Sequence, residues 1–463
     1  MIRARCMAAS LFLMSLCACK VGPDYQRPAV RLPDQFRGLA PEAAAAPAPA
    51  EAFGEMKWWT VFQDKVLEDL IREALINNYD MQIAATRVAQ AQALVGITRA
   101  DQFPTVSGSA GIEQIKSSFF PGGPTFDSAS VQASYILDFW GQYRRATEAA
   151  KANLIATEYG REVVRTSLIS DLASAYFRLR QYDTQLEYSE KTQIADQEML
   201  RLNTINFKGG ESAKTDVLQA QLLVQQAEAQ IISLRQLIEQ TENAISVLVG
   251  RNPGPVSRGI SLTEQPHMPE IPAGLPSKLL ERRPDVRRAE MQLVEANANV
   301  GVAKAAFFPQ FSLTGQFGLQ STSITSFLQG PSTFWTVGGQ LLQPIFEGGR
   351  IRSTYKLAWA KRDEAEIAYR QSVQLAVADV SNSLVGYAQS RQYRAKIQEQ
   401  TDTYFETARL ANVRFTGGST SFLEVLVTQQ QYFISQLAIA QAWNDELQNY
   451  LQLYRALGGG WEM

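Results

Sequence analysis

Residues 128–138, SASVQASYILD, alternate in character: Ala129, Val131, Ala133, Tyr135 and Leu137 fall on one side, with Ser128, Ser130, Gln132, Ser134 and Asp138 on the other. A period of two marks a strand with one apolar and one polar face. Three further stretches repeat it. In 105–113, Val106, Gly108, Ala110 and Ile112 oppose Thr105, Ser107, Ser109 and Glu113. Phe311, Leu313, Phe317 and Leu319 oppose Ser312, Thr314, Gln316 and Gln320, and Trp335, Val337, Gly339 and Leu341 oppose Thr336, Gly338 and Gln340. Aromatic residues gather near the ends of these stretches: Phe103, Phe119, Phe120, Phe139, Trp140, Trp335 and Phe346. Short segments with one apolar face, one small or polar face and aromatic ends match outer-membrane strands. A soluble sheet with one wet face gives the same alternation. The flanking helices argue against it, because they carry narrow seams of their own and are too long to fold back over ten-residue strands.

Those helices dominate the rest of the chain. A helix-forming pattern runs from 141 to 205, about 97 Å at 1.5 Å per residue. A turn at Gly209–Ser212 follows, and then a helix over 211–249. Ala220, Val224, Ala227, Ile231, Leu234, Ile238, Thr241, Ile245 and Leu248 alternate steps of four and three there. That heptad seam predicts antiparallel coiled-coil packing on the preceding helix. The plan then recurs: a helix to about 306, strands over 310–345, a helix over 349–413, a turn at Gly417-Gly418 and a helix over 419–457. The last helix carries a second seam through Leu423, Leu426, Phe433, Leu437, Ala440, Leu447, Leu451 and Tyr454, interrupted by Gln430 and Asn444.

The recurrence is visible residue by residue. Shifted by 208, Phe207, Gly209, Gly210, Asp216, Val217 and Gly250 fall on Phe415, Gly417, Gly418, Glu424, Val425 and Gly458; nearer each copy's start the offset is 205, with Asp80, Gly96 and Pro104 on Asp285, Gly301 and Pro309. Three extra residues must lie between, among the strands and loops. The chain is therefore a duplicated module, with repeats at 57–250 (strands about 105–139) and 277–463 joined by a Pro- and Gly-rich connector at 251–276. The fold class is a mixed α and β membrane protein with four strands and very long coiled-coil helices per protomer.

Export precedes all of this. Arg3 and Arg5 lead an apolar run from Met7 to Leu16, which fits a secretory leader over 1–18. A cysteine follows directly at position 19, so Cys19 is the expected lipidated first residue, and 19–56 reads as an extended arm rich in Pro and Ala. All three cysteines lie at or before position 19, which leaves the exported body without a disulfide or thiolate metal site. Formal charge is −2, and loss of residues 1–18 removes two arginines and no acid to leave −4. Such a balance gives no electrostatic case for nucleic acid. No apolar run after residue 19 reaches the 18 residues a membrane helix needs, so any crossing is by strands. Four strands alone leave two unpaired edges that lipid cannot satisfy, so closure needs sister subunits: two copies give eight strands and a filled interior, three give twelve and a lumen.

Catalytic motifs are missing. No P-loop, GxSxG, HExxH or cysteine cluster occurs, and the single histidine, His267, sits in the connector. The chain reads as no enzyme, with no cofactor or metal beyond the lipid on Cys19. Other residues point to a family. The cysteine with VGPDY (Val21–Tyr25), WWTVFQD (Trp58–Asp64), LLERRPDVRRAE (Leu279–Glu290) and GVAKAAFFP (Gly301–Pro309) occur in order along the chain. Together they resemble TolC-like outer-membrane factors, in the lipoprotein subgroup of drug and metal efflux pumps.

That resemblance implies a homotrimer with a twelve-stranded barrel in the outer membrane of a Gram-negative bacterium and a twelve-helix periplasmic tunnel. It implies a passive exit duct, partnered by a periplasmic adaptor and an inner-membrane pump of the resistance-nodulation-division class. The helical tips would gate the channel and meet the adaptor through Gly209, Gly210, Asp216, Gly417, Gly418 and Glu424. Asp216 and Glu424 could form rings of carboxylates favouring cations, or simply be acids placed by the helix dipole. Other family members carry an acid three residues further on, where this chain has Gln219 and Val427, so Val427 could form an apolar constriction instead. Arg282, Arg283, Pro284 and Asp285 follow a short predicted helix, with Pro284 opening the next; a cap and a surface ion pair suffice on physical grounds, and the family motif adds a fold-defining role. Two other duties fit parts of the sequence: an exit channel for type I protein secretion, or a coiled-coil envelope lipoprotein or adhesin. The cargo is not written in the sequence.

Overall fold

The computed structural model describes residues 20–30, 63–114, 119, 125–265, 282–323, 325 and 327–458. The expected leader, Cys19, Trp58, Leu279, Phe120 and His267 lie outside them. In order the elements are α1 (Lys65–Asn77), α2 (Tyr79–Ala100), β1 (Thr105–Gln114), β2 (Thr125–Leu137), α3 (Gln142–Lys208), α4 (Lys214–Val249), α5 (Pro284–Ala305), β3 (Gln310–Ser321), β4 (Thr333–Leu342), α6 (Arg350–Thr416) and α7 (Phe422–Ala456). The duplication fixes where the three extra residues sit. Both strand hairpins keep the offset of 205 to their last residue, Leu137 and Leu342, whereas α3 and α6 start 208 apart. The insertion therefore lies in the second strand-to-helix joint, 343–349 against 138–141. Each repeat contributes to both of two compact units, made of the described residues of Met1–Ala29, Thr86–Glu158 and Arg288–Gln371 in one and Val30–Ala85, Tyr159–Arg287 and Ser372–Met463 in the other.

The first unit holds a four-stranded antiparallel sheet in the order β1-β2-β3-β4. Its register keeps like with like. One row runs Gly108, Val131, Phe317, Trp335 across all four strands; the next runs Ser107, Gln132, Gln316, Thr336. Alternation along each strand thus becomes two continuous faces, as the sequence predicts. The apolar face is uncovered, with Phe317, Trp335 and Val337 62%, 72% and 78% exposed. A soluble sheet buries such a face; this one presents it, and β1 and β4 each pair on one side only. Aromatic contacts lock the strand ends: Trp140 stacks on Phe308 at 4.6 Å and donates its indole N–H to the Pro309 carbonyl at 2.8 Å, while Phe139 meets Phe311 edge-on at 5.0 Å.

The VGPDY strip is threaded against this joint. The Val21 N–H donates to the Trp140 carbonyl at 3.1 Å. Arg145, 1% exposed, donates to the Val21 carbonyl, to Asp24 at 2.8 Å and to Glu148 at 3.1 Å, and the Asn297 amide donates to the Pro23 carbonyl. Backbones touch here, because Gly22, at φ +107°, leaves a Cβ no room: it would stand 2.5 Å from Gly301 Cα. Gly301 is equally confined, its Cβ 2.9 Å from the Val21 carbonyl. Two motifs that lie far apart in sequence are therefore the two sides of one contact. We predict that Gly301→Val displaces the strip at a cost of about 3 kcal/mol. Limited trypsinolysis should then cut after Lys20, a bond that the wild-type protein protects by holding Lys20 on Glu148 and Val21 on Trp140.

The second unit is built from helical hairpins. On α4 the buried residues Ala220, Val224, Ala227, Ile231, Leu234, Ile238 and Ile245 match the predicted seam; it ends at Ser246 and Val249 rather than Leu248. The expected α7 seam holds at Ala440, Asn444, Leu447, Leu451 and Tyr454, all buried, and needs correction at its start. Phe422 and Val425 are buried where Leu423 and Leu426 were expected, and Leu423 is 55% exposed. The physical cause is that α7 packs on two neighbours. Besides its hairpin partner α6 it meets α3 along a polar line: Gln181 donates to Gln441 at 2.6 Å, Gln185 to the Leu437 carbonyl at 3.0 Å, and Gln448 to the Ser174 carbonyl at 2.9 Å. An apolar pattern cannot reveal a polar seam.

Asp64, last residue of the WWTVFQD motif, is a buried node of the same unit. Its carboxylate accepts from the backbone of Val66 and Leu67 at the start of α1, from Ile260 N–H at 3.1 Å and from the Tyr176 hydroxyl at 2.8 Å. That hydroxyl in turn accepts from Gly259 N–H at 2.9 Å.

Candidate gate and anchoring sites

Both hairpin tips end their long helix in the same way. Gly210 and Gly418 adopt the left-handed conformation, at φ +81° and +71°. Glu211 N–H then donates to the Asn206 carbonyl and Gly210 N–H to Phe207; in the second copy Ser419 donates to Arg414 and Gly418 to Phe415. This pair of bonds is a Schellman terminator, which satisfies carbonyls the helix end would leave unpaired. Gly210 and Gly418 supply the positive φ; Gly209 and Gly417 precede them as the last residues before the reversal.

Asp216 and Glu424 each stand at the third position of the next helix. Asp216 accepts from the Ala213 N–H at 3.2 Å, half of a capping box whose other half an alanine cannot provide. Glu424 is bound differently, accepting from Arg414 at 2.9 Å and from the Thr420 hydroxyl. Sequence reading missed Arg414, the counter-charge that sets Glu424 apart from Asp216. The tip core joins all four helices: Ala220, Ala411, Phe422 and Val425 are buried, with Met199, Leu200, Phe415 and Leu426 against them. Val427 stays outside that core, 47% exposed.

Arg283 exceeds the surface ion pair that sufficed on sequence grounds. Its side chain is 10% exposed; it grips Asp285 through two bonds of 2.7 and 3.0 Å, reaches Asp379 at 3.0 Å and donates to the Ala456 carbonyl at 3.2 Å. Pro284 opens α5, where its missing N–H costs nothing. Burial pushes the Asp285 carboxyl up, but the Arg283 guanidinium outweighs it and holds the group below its ordinary range. Arg282 is exposed beside this clasp. The duplication explains the geometry, since Asn78 occupies the matching place and its amide donates to the Leu248 carbonyl at 2.9 Å, as Arg283 does to Ala456. Each clasp ties the head of a 22-residue helix to the tail of a hairpin.

Among the described residues no group of three His, Cys, Asp or Glu is placed to hold a metal, and no helix is long and apolar enough to cross a membrane. The elements that can meet lipid are the strands. An uncovered apolar sheet face with two free edges, on a chain whose other described elements are mainly helices, two of them 67 residues long and each folded back in a hairpin, defines an outer-membrane channel subunit.

Comparison with known proteins narrows the class. The family model described as "Outer membrane efflux protein" matches residues 70–251 and 275–459, and the chain belongs to this family. A solvent efflux pump outer membrane protein of Pseudomonas putida is 34% identical over 461 residues, covering 97% of each chain. The cation efflux system protein CusC of Escherichia coli is 30% identical over 458 residues, again covering 97% of each. Among solved structures, CusC superposes with a TM-score of 0.86 at 28% identity, covering 96% of this chain and 100% of that one. The open state of the Neisseria gonorrhoeae MtrE outer membrane channel gives 0.84 at 27%, covering 96% and 99%.

Proposed function

We propose that the protein is the outer-membrane exit channel of a tripartite efflux assembly, receiving cargo from an inner-membrane pump through a periplasmic adaptor. The observation that carries this is the open sheet. Its apolar face suits lipid, its polar face of Ser, Thr, Gly and Gln suits a wetted lumen, and its edges β1 and β4 need partners. Three copies close twelve strands around a pore. Conduction is passive, and the relatives' names, which cover solvents, cations and antibiotics, fit a duct whose cargo is chosen by its pump. The covalent lipid is assigned to Cys19, one residue before Lys20, which pairs with Glu148 near the strand-to-helix joint.

The hairpin tips are assigned as the periplasmic gate and adaptor contact. Purified protein should run as a heat-modifiable trimer and conduct ions in planar bilayers; a water-soluble monomer that neither inserts nor conducts would refute the channel. Within that assay Asp216→Ala should reduce cation preference, because among the described residues no ion pair offsets its charge, Lys214 lying over the Phe207 ring instead. Glu424→Ala should change it less, since Arg414 already offsets that charge. Unaltered selectivity in both would leave the two acids as helix caps alone.

A further inference from the structure

The polar line between α3 and α7 runs on to a buried acid, Asp196, that makes no hydrogen bond or ion pair among the described residues. Ser174 lies against Gln448 and Gln181 against Gln441, so seven residues forward on α3 match seven back on α7. Gln185 at Leu437 keeps the same register, which carried on towards the tip brings Asp196 opposite Leu426. Asp196 is 5% exposed. It sits one turn before Met199 and Leu200, which pack on the tip core together with Leu426.

The charges around it are all engaged elsewhere. On α3, Lys191 pairs with Glu187, Arg201 with Glu198, and Glu190 with Arg235 of α4. On α4, Glu228 accepts from Gln193. On α6, Arg409 pairs with Glu406, and Arg414 holds Glu424 of α7. None of these acts on Asp196, and burial alone pushes its carboxyl up to about 6. A seam of glutamine and serine is also a weak one, because each side-chain bond formed replaces a bond to water.

We propose that Asp196 makes the packing of α3 against α7 depend on protons: the neutral acid favours the packed, closed tip, and the carboxylate favours separation of the two hairpins. The inference rests on the tips being the gate. The sign follows from linkage. A buried carboxyl holds its proton more tightly than a hydrated one near 3.9, so the packed state is favoured below that range and loses its advantage as pH rises through about 6. Between pH 5 and pH 7.5 the packed-to-separated ratio should fall about tenfold.

The test uses the full-length trimer with nitroxides at Lys191→Cys on α3 and Gln431→Cys on α7, both exposed and level with each other in the register above. Electron–electron resonance distances at the two pH values should show the short-distance population shrinking as pH rises. Asp196→Asn should hold the packed distance at both, and Asp196→Ala should likewise lose the response. Distances in the wild-type protein that ignore pH overturn the proposal, as does an equal response in Asp196→Asn. A distance change with no accompanying change in bilayer conductance upholds the role of Asp196 and removes the gate assignment instead.

Discussion

Val131→Arg should abolish assembly in the membrane, whereas Gln132→Arg, one residue on, should leave it intact. Val131 is the middle of β2 and lies in the row Gly108, Val131, Phe317, Trp335 on the uncovered apolar face. An arginine facing lipid near the bilayer centre costs about 2–4 kcal/mol, and a trimer incurs that in every copy. Gln132 lies in the row of Ser107, Gln316 and Thr336, where a charge can be hydrated. The first variant should lose the heat-modifiable trimer band and its membrane fraction. The second should keep both and shift conductance towards anions. Equal behaviour of the two would mean that the faces are wrongly assigned.

The second large effect is expected at Arg283. Arg283→Ala removes four bonds at once and leaves Asp285 and Asp379 facing each other across the lost guanidinium. Taking one partner from a buried ion pair costs about 3–5 kcal/mol, and the partial exposure of both acids argues for the lower end. Arg283→Lys keeps the charge but not the two-pronged grip, and should recover only part of the loss. Trimer melting followed by circular dichroism measures both. A melting curve unchanged in Arg283→Ala would show that the motif does not hold the fold together.

Much of this architecture is legible in the sequence, for reasons that differ by element. The strand faces are legible because a period of two leaves one choice, and Val131 and Gln132 can only be on opposite sides. Hairpin tips are legible because the left-handed turn needs Gly210 and Gly418, and the duplication shows the need twice. Helix α7 is legible only in outline. It serves two partners, so the apolar residues alone do not say whether Phe422 or Leu423 faces inward. The polar contacts that answer this, from Gln181, Gln185 and Ser174, carry no periodic signal. Long-range ties such as Arg145 to the VGPDY strip or Asp64 to Tyr176 escape local pattern altogether, although their motifs stand out in the chain. Arg283 could have been read further, since the offset of 205 already sets it opposite Asn78.

That pairing has a consequence for how the molecule comes apart. The first half fastens its junction with the Asn78 amide, which no accessible acidity alters, and the second with a guanidinium held by two carboxylates. Asp285 sits below its ordinary range, so its stabilisation is whole at neutral pH and drains away as acid is added past that range. Duplicate halves of one ancestor have thus become chemically unequal latches, and in acid the later one should open while the earlier stays shut.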